Sequence, residues 1–134
     1  MVYCGTDIIE VKRVKDAINL VNGFKEKIFS KKEIDDIELS KSEYKYQRYA
    51  GRFAAKEAIY KAISKFLIDY NFEYLLEDVE ILNVDELKRR PEVNFLNDDL
   101  NKILKQRNIK VDVSISHISE FATSVAVINM EEEN

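Results

Sequence analysis

The sequence contains few of the residues that cross-link small proteins, bind zinc or interrupt helices and strands. Its 134 residues include one cysteine, one histidine, one proline and three glycines, and no tryptophan. The single cysteine, Cys4, allows no disulfide within the chain, which is typical of a reducing compartment. With His117 as the only histidine, a zinc site of cysteine and histidine ligands within one chain is excluded as well. A metal ion here would have to be held by carboxylates, which are ligands that magnesium prefers.

Cys4 itself lies in an apolar stretch beside Gly5. A catalytic pair of a nucleophilic Cys4 with His117 is one interpretation, because the chain contains both a thiol and an imidazole. Apolar surroundings, however, favour an unreactive thiol. We therefore expect Cys4 to be buried and inert.

Long apolar runs are also missing. The longest uncharged run, residues 121–130, is well short of the roughly 18 residues that a membrane span needs. The N-terminus has neither the basic start nor the apolar stretch of a secretory signal. A content of 46% hydrophobic and 34% charged residues is typical of a folded, helix-rich protein. We expect one cytoplasmic domain over residues 1–134, without a membrane partner and with a frayed tail at residues 131–134.

The net charge of −4 hides a difference between two parts of the chain. Residues 10–65 carry 14 lysines and arginines against 9 acidic residues, whereas the remainder carries 7 against 16. The basic part suits an anionic small molecule or an acidic protein. Nucleic acid is disfavoured, because a pI near 5.2 leaves most of the surface repelling phosphates. An ordinary solvated helix face explains the same charge equally well.

The hydrophobic pattern changes between helical and strand periods along the chain. Helices are predicted from residue 11 to about 23, from Ser30 with Glu33 at the capping-box spacing, over 49–67 and over 97–108. Strands are predicted over 2–9, 79–84, 90–95, 111–117 and 122–130, the last two forming a hairpin. Runs of helices followed by runs of strands predict an α+β fold.

Three segments carry candidate chemistry, and the first is Gly5-Thr6-Asp7 near the end of the first strand. A carboxylate among apolar neighbours loses hydration, so Asp7 needs a cation, hydrogen bonds or a proton. The alternative is an aspartate that caps the end of the strand.

The second segment is the helix from Arg52 to Ala62. Glu57 and Lys61 are four residues apart and share one side, and Arg52 and Lys56 share a flank at the same spacing. A solvated Glu–Lys pair is one interpretation, and the spacing alone favours it. The other is a magnesium-binding carboxylate beside a lysine that acts on a phosphate or a proton. The core face is predicted to be Ala55, Ala58, Ile59, Ala62 and Phe66.

The third segment is Ser114-Ile115-Ser116-His117. By strand alternation the two serines share one face, and His117 lies on the other face or at the turn. Taken alone, the segment indicates an ordinary strand end.

In this order the segments resemble the holo-acyl-carrier-protein synthase type of 4′-phosphopantetheinyl transferase. The family opens with Gly-x-Asp, has a central Arg-Phe-Ala-x-Lys-Glu-Ala-x-x-Lys-Ala motif and ends with a Ser-x-Ser-His strand. The matching residues here are 5–7, 52–62 and 114–117, with lesser matches at 29–33 and 90–93. The resemblance implies a phosphopantetheinyl-transferase-like α+β fold, with a long central helix packed on an antiparallel sheet. At this length it also implies a homotrimer with active sites between subunits.

The implied activity is transfer of the 4′-phosphopantetheine arm of coenzyme A to a serine of an acyl carrier protein, in fatty acid and lipid metabolism. Adenosine 3′,5′-bisphosphate is released. Asp7 and Glu57 would hold Mg²⁺, and with Lys61 they would form the catalytic group. Lys61 is expected to contact a phosphate. Proton acceptance by Lys61, or by a metal-bound water relayed through a carboxylate, competes with that role.

The resemblance also implies binding residues. Coenzyme contacts are expected from Arg52, Lys56, Lys61, Ser116 and His117. Lys12 and Arg13 are expected to dock an acidic carrier helix, and Arg52 and Lys56 either extend that basic patch or hold phosphate.

One segment departs from the family pattern. The family commonly has a Gly-Thr-Gly turn after the central motif, whereas this chain has Ser64-Lys65-Phe66. We expect the helix to continue there and Lys65 to supply a charge in place of backbone N–H groups. A non-catalytic module that binds acyl carrier protein or coenzyme A on the same fold is the main alternative. A magnesium-dependent nucleotide-binding enzyme of another type is the third interpretation.

Overall fold

Strand and helix periods in the sequence correspond to the elements of the computed structural model, which describes residues 1–70, 72–73, 75–85 and 90–131. The strands are β1 (Val2–Glu10), β2 (Val79–Asp85), β3 (Arg90–Phe95), β4 (Ile109–His117) and β5 (Phe121–Met130). The helices are α1 (Val11–Leu20), α2 (Phe24–Ile28), α3 (Lys31–Ile37), α4 (Tyr44–Leu67) and α5 (Asp98–Gln106). Short 3₁₀ turns are formed by Ile68–Tyr70 and Leu76–Asp78.

The strands form two antiparallel sheets. The larger sheet has the order β1-β5-β4, and β2 pairs with β3 in the smaller one. In the larger sheet Asp7 of β1 lies opposite Ser124 of β5, which in turn lies opposite Ile115 of β4. The terminal hairpin predicted from the sequence is confirmed as β4 and β5.

Helix α4 packs against one face of the larger sheet. The predicted core face of this helix is confirmed, because each of its members is buried: Ala55, Ala58, Ile59, Ala62 and Phe66. A Cβ atom built on Gly5 of β1 would collide with the carbonyl oxygen of Ala58. Glycine is therefore required where the first strand crosses the helix. This long helix on an antiparallel sheet confirms the α+β prediction.

Helix boundaries differ from the sequence prediction at the N-terminal end of α4. The helix begins at Tyr44, five residues earlier than predicted, because Tyr46 and Tyr49 are buried against neighbouring elements. The segment Phe24–Ile28 also forms a helix, which is too short to show a helical period in sequence. The capping box of α3 is confirmed: Ser30 Oγ accepts from the Glu33 N–H, and Glu33 Oε1 accepts from the Ser30 N–H.

Other expectations have mixed outcomes. The expectation that Cys4 is buried is wrong: it is exposed on the face of the larger sheet that points away from α4. Helix α4 continues through Ser64-Lys65-Phe66, as expected.

Most of the expected frayed tail, residues 132–134, lies outside the described residues. None of the described helices has the length and apolar character to cross a bilayer.

Candidate active site

Asp7 lies in the middle of β1, where this strand passes α4. Pairing with β5 continues past Asp7 to Glu10, so Asp7 is not a cap at the strand end. The Thr123 hydroxyl donates to the Asp7 carbonyl oxygen (2.9 Å), which adds a side-chain bond to the strand ladder. The side chain of Asp7 is 16% exposed. Its carboxylate is thus held on a rigid strand and remains partly open to solvent.

Lys61 connects α4 to this carboxylate. Its Nζ donates to Asp7 Oδ1 (3.1 Å) and to the Thr6 carbonyl oxygen (2.9 Å). The side chain of Lys61 is 51% exposed, so water screens the ion pair and it adds little stability. The ammonium group is therefore placed beside Asp7 while part of it remains accessible to a ligand.

Glu57, one helical turn before Lys61, belongs to the same electrostatic group. Its pKa is raised above the ordinary value, first by burial and second by the negative charge of Asp7, while Lys61 opposes the shift. Lys61 is thus bonded to Asp7, and Glu57 is near enough for both charges to act on its carboxyl group, which is the grouping that the resemblance implied. Two carboxylates and one ammonium give this group a net negative charge.

The donor set fits a hard divalent cation. Two carboxylates supply oxygen ligands, and magnesium usually keeps several waters and takes further oxygens from a substrate phosphate. Within the part of the chain that the structure describes, no cluster of three or more histidine, cysteine, aspartate or glutamate side chains forms a fuller site. Asp7 and Glu57 are thus the residues that would hold Mg²⁺.

Lys65 makes a contact that the sequence did not predict. It lies one turn beyond Lys61, and its Nζ donates to the carbonyl oxygen of Cys4 (2.9 Å). Lys61 and Lys65 thereby reach two carbonyls of the same strand, those of Thr6 and Cys4. The sequence signal that could have predicted this arrangement is the four-residue spacing of the two lysines, which places them on one face of the helix.

Arg52 and Lys56 share a buried flank of α4, so neither extends the basic patch of Lys12 and Arg13. Lys56 is fully buried, and its Nζ is 2.8 Å from Glu33 Oε1. Arg52 is 4% exposed and is paired with Asp36. Burial lowers the pKa of Lys56, and the charge of Glu33 opposes this shift. Both cations point into the contact between α3 and α4, where protein carboxylates already neutralise them.

Ser116 and His117 lie apart from the Asp7 group in this chain, because β5 separates β4 from β1. Ser116 is exposed on the face of the sheet that points away from α4. His117 is half-buried on the opposite face. Its Nδ1 is 3.0 Å from Gln47 Oε1, and its ring packs edge-on against Tyr44. The sequence predicted the opposite orientation of these two residues but not the contacts with α4.

Lys12 and Arg13 are both exposed on α1. Lys12 forms an ion pair with Asp16 at 3.1 Å, and its side chain is 80% exposed. The surface of α1 therefore offers accessible positive charge, as the sequence analysis expected.

Comparisons with known proteins show the family of the chain. Residues 3–126 match the model of the 4′-phosphopantetheinyl transferase superfamily. A holo-[acyl-carrier-protein] synthase of Fusobacterium nucleatum subsp. nucleatum is 42% identical over 126 residues, covering 92% of this chain and 95% of that protein.

Solved structures agree as well. A Bacillus anthracis holo-(acyl-carrier-protein) synthase in complex with CoA (3′,5′-ADP) is 28% identical, with a TM-score of 0.72 and 96% coverage of both chains. The Chronobacterium ammoniagenes ACPS-CoA complex has the same fold, with a TM-score of 0.80, 21% identity and coverage of 98% of this chain and 99% of that one. The chain therefore belongs to the holo-[acyl-carrier-protein] synthases of the 4′-phosphopantetheinyl transferase superfamily, and it is an enzyme.

Proposed function

We propose that residues 1–134, acting as one domain, transfer the 4′-phosphopantetheine arm of coenzyme A to a serine hydroxyl of an acyl carrier protein. The observation that carries this proposal is the group of Asp7, Glu57 and Lys61 at the crossing of β1 and α4. The names of the relatives, and the coenzyme A in two of the related structures, support the choice of substrates.

In the reaction the serine oxygen forms a bond to the phosphorus that carries the pantetheine arm. The bond from that phosphorus to the bridging oxygen of the diphosphate breaks, and adenosine 3′,5′-bisphosphate leaves. The proton of the serine hydroxyl would pass to Lys61 or to a water relayed through a carboxylate of the site. The related Bacillus anthracis structure contains 3′,5′-ADP, which is consistent with this product. Mg²⁺ held by Asp7 and Glu57 would neutralise charge on the diphosphate oxygens.

Lys61 contributes a positive charge beside these carboxylates. Its exposed ammonium suits contact with a phosphate oxygen, which orients the coenzyme and stabilises negative charge as the bond breaks. Two carboxylates alone hold Mg²⁺ weakly. We therefore expect magnesium and coenzyme A to strengthen each other's binding.

A homotrimer would complete the site. The outer face of the larger sheet exposes large apolar side chains on two strands: Val2, Ile8, Phe121, Val125 and Val127. An exposed apolar patch of this kind marks an interaction surface. We expect copies of the chain to meet through this face, with the active sites between subunits. Coenzyme A would then bind between subunits, in the cytoplasm, without nucleic acid or membrane partners.

The carrier protein would dock on α1. Lys12 and Arg13 present positive charge at its surface, which attracts an acidic carrier helix and speeds encounter at low salt. The reaction would activate carriers for fatty acid synthesis and other lipid metabolism.

The test is incubation of the protein with an apo carrier, coenzyme A and Mg²⁺, followed by mass spectrometry of the carrier. We expect the mass gain of one phosphopantetheine arm, and no gain when the metal is chelated. Carrier binding without any mass gain would contradict the proposal and favour a non-catalytic module.

A further inference from the structure

A fully buried ion pair lies on the side of α4 that faces away from the Asp7 group. Glu33 Oε1 accepts from Lys56 Nζ (2.8 Å) and from the Ser30 N–H (2.9 Å), and Glu33 Oε2 accepts from the Ile81 N–H (3.1 Å). Lys56 Nζ also donates to the Val79 carbonyl oxygen. Both side chains of the pair are 0% exposed. The pair therefore ties α3, α4 and β2 together through directional bonds.

Stability does not explain why charges are placed here. Removing two ions from water costs as much as their attraction returns, and apolar residues of similar volume often stabilise a fold equally well. An ion pair with several hydrogen bonds differs from apolar packing because hydrogen bonds fix the relative orientation of the elements that they join. The bonds at Glu33 and Lys56 restrict the rotation of α4 about its own axis.

That rotation determines where Glu57 points, because Lys56 and Glu57 are consecutive residues of one helix. On the opposite side, Gly5 of β1 approaches the backbone of Ala58 too closely to allow a side chain. Helix α4 is thus held at Lys56 by α3 and β2, and at Ala58 by β1. Glu57 lies between these two fixed points, one helical turn before Lys61, whose Nζ donates to Asp7.

We propose that Lys56, through its bonds to Glu33 and Val79, is a positioning residue that directs the Glu57 carboxylate towards Asp7. This inference rests on the proposed function, in which Asp7 and Glu57 share a divalent cation. It assigns no coenzyme contact to Lys56.

The experiment measures Mn²⁺ affinity from the electron paramagnetic resonance signal of the free ion, without coenzyme. The double variant Lys56→Met/Glu33→Gln removes both charges at similar volume. Leu104→Ala is the control for lost stability, because Leu104 is buried on α5, away from β1 and α3. All proteins are measured well below their unfolding temperatures, with circular dichroism confirming the fold.

We expect the double variant to bind Mn²⁺ about tenfold more weakly than the wild type, because losing a group that orients a metal ligand costs about 10–100-fold in metal affinity. Leu104→Ala should bind like the wild type. The second variant, Glu33→Asp, keeps both charges but shortens the arm. If the double variant does not fold, Glu33→Asp tests the positioning role of Lys56 in its place. We expect Glu33→Asp to bind Mn²⁺ more weakly than the wild type as well.

A loss of less than threefold relative to Leu104→Ala, in the folded variant tested, would overturn the role of Lys56 alone. Failure of the wild type to bind Mn²⁺ without coenzyme would overturn this inference, whereas the metal part of the proposed function is tested by chelation in the transfer assay. Transfer to the apo carrier by the wild type, measured in parallel, separately tests the proposed reaction.

Discussion

Two lysines of one sequence motif, Lys56 and Lys61, each pair with a carboxylate from another element, yet their surroundings are opposite. The pair of Lys56 with Glu33 is fully buried, whereas in the pair of Lys61 with Asp7 the side chains are 51% and 16% exposed. The buried pair holds elements in place. The partly exposed pair leaves charge available for a ligand. Burial, rather than residue type, therefore separates the structural cation from the functional one.

Helix geometry explains why neighbouring residues of a motif have such different surroundings. At about 100° per residue, Lys56 and Lys61 lie roughly 140° apart around α4. Helix α3 and strand β2 cover the side that carries Lys56. The edge of the sheet, at β1, approaches the side that carries Lys61.

The largest expected effect is on the rate of carrier modification and comes from the carboxylates beside the partly exposed Lys61. Glu57→Gln or Asp7→Asn should lower the rate of carrier modification by roughly 10²–10³-fold, because each removes a charge that stabilises the transition state. The unfolding temperature should change little. Mass spectrometry gives the rate, and calorimetry gives the stability.

The matched control for these variants is Asp35→Asn, which alters an exposed ion pair on α3. It should leave the rate unchanged. Rates of Glu57→Gln and Asp7→Asn equal to that of this control would exclude the two carboxylates from the reaction.

The free energy of unfolding should depend more on the buried Lys56 than on the partly exposed Lys61. Lys56→Met leaves Glu33 as an unpaired buried charge and should lower the free energy of unfolding by about 3–5 kcal/mol. Lys61→Met should lower it by less than about 1 kcal/mol, because the Lys61 side chain is half-exposed and water screens the pair. Urea denaturation measures both values. Equal losses would show that burial does not distinguish the two pairs.

A smaller effect is expected at α1. Arg13→Glu should raise the KM for the carrier about tenfold at low salt, because it reverses a charge that attracts an acidic partner. The difference from the wild type should shrink as salt is added. Lys31→Glu, at an exposed lysine on α3, is the control and should have little effect. Equal changes in both variants would indicate a general charge effect rather than a docking surface.

The smallest effect concerns Glu38, whose exposure is intermediate between those of the two pairs. Burial alone would raise its pKa, but hydrogen bonds from Tyr49 and Lys45 and nearby lysine charges lower it below the ordinary 4.5. A lowered pKa in the folded state stabilises the protein above that value, and the stabilisation disappears as the pH falls through the folded-state pKa.

Tyr49→Phe removes one of these hydrogen bonds, from the Tyr49 hydroxyl to Glu38 Oε1. It should therefore cost about 1 kcal/mol near pH 7, and less once Glu38 is protonated. Denaturation as a function of pH tests this. A cost that stays constant through the acid range in which Glu38 becomes protonated would contradict the assignment.

The sequence was sufficient for features that depend on local period and order. The helix carrying Glu57 and Lys61 and the terminal hairpin were predicted in this way, whereas the grouping of Asp7 with these two residues was expected only from the family resemblance. The burial of Lys56 could not be, because it depends on Glu33, a residue 23 positions away on another helix. The same limit applies to Cys4, because its exposure depends on which face of the sheet α4 covers.

The central claim is that Asp7 and Glu57 hold one divalent cation under the diphosphate of coenzyme A. The most direct test is a crystal structure with Mn²⁺ and coenzyme A, with the metal located by anomalous scattering. We predict one peak at about 2.0–2.2 Å from a carboxylate oxygen of each residue and in contact with a diphosphate oxygen. A peak that touches only one of the two carboxylates, or none, would contradict the claim.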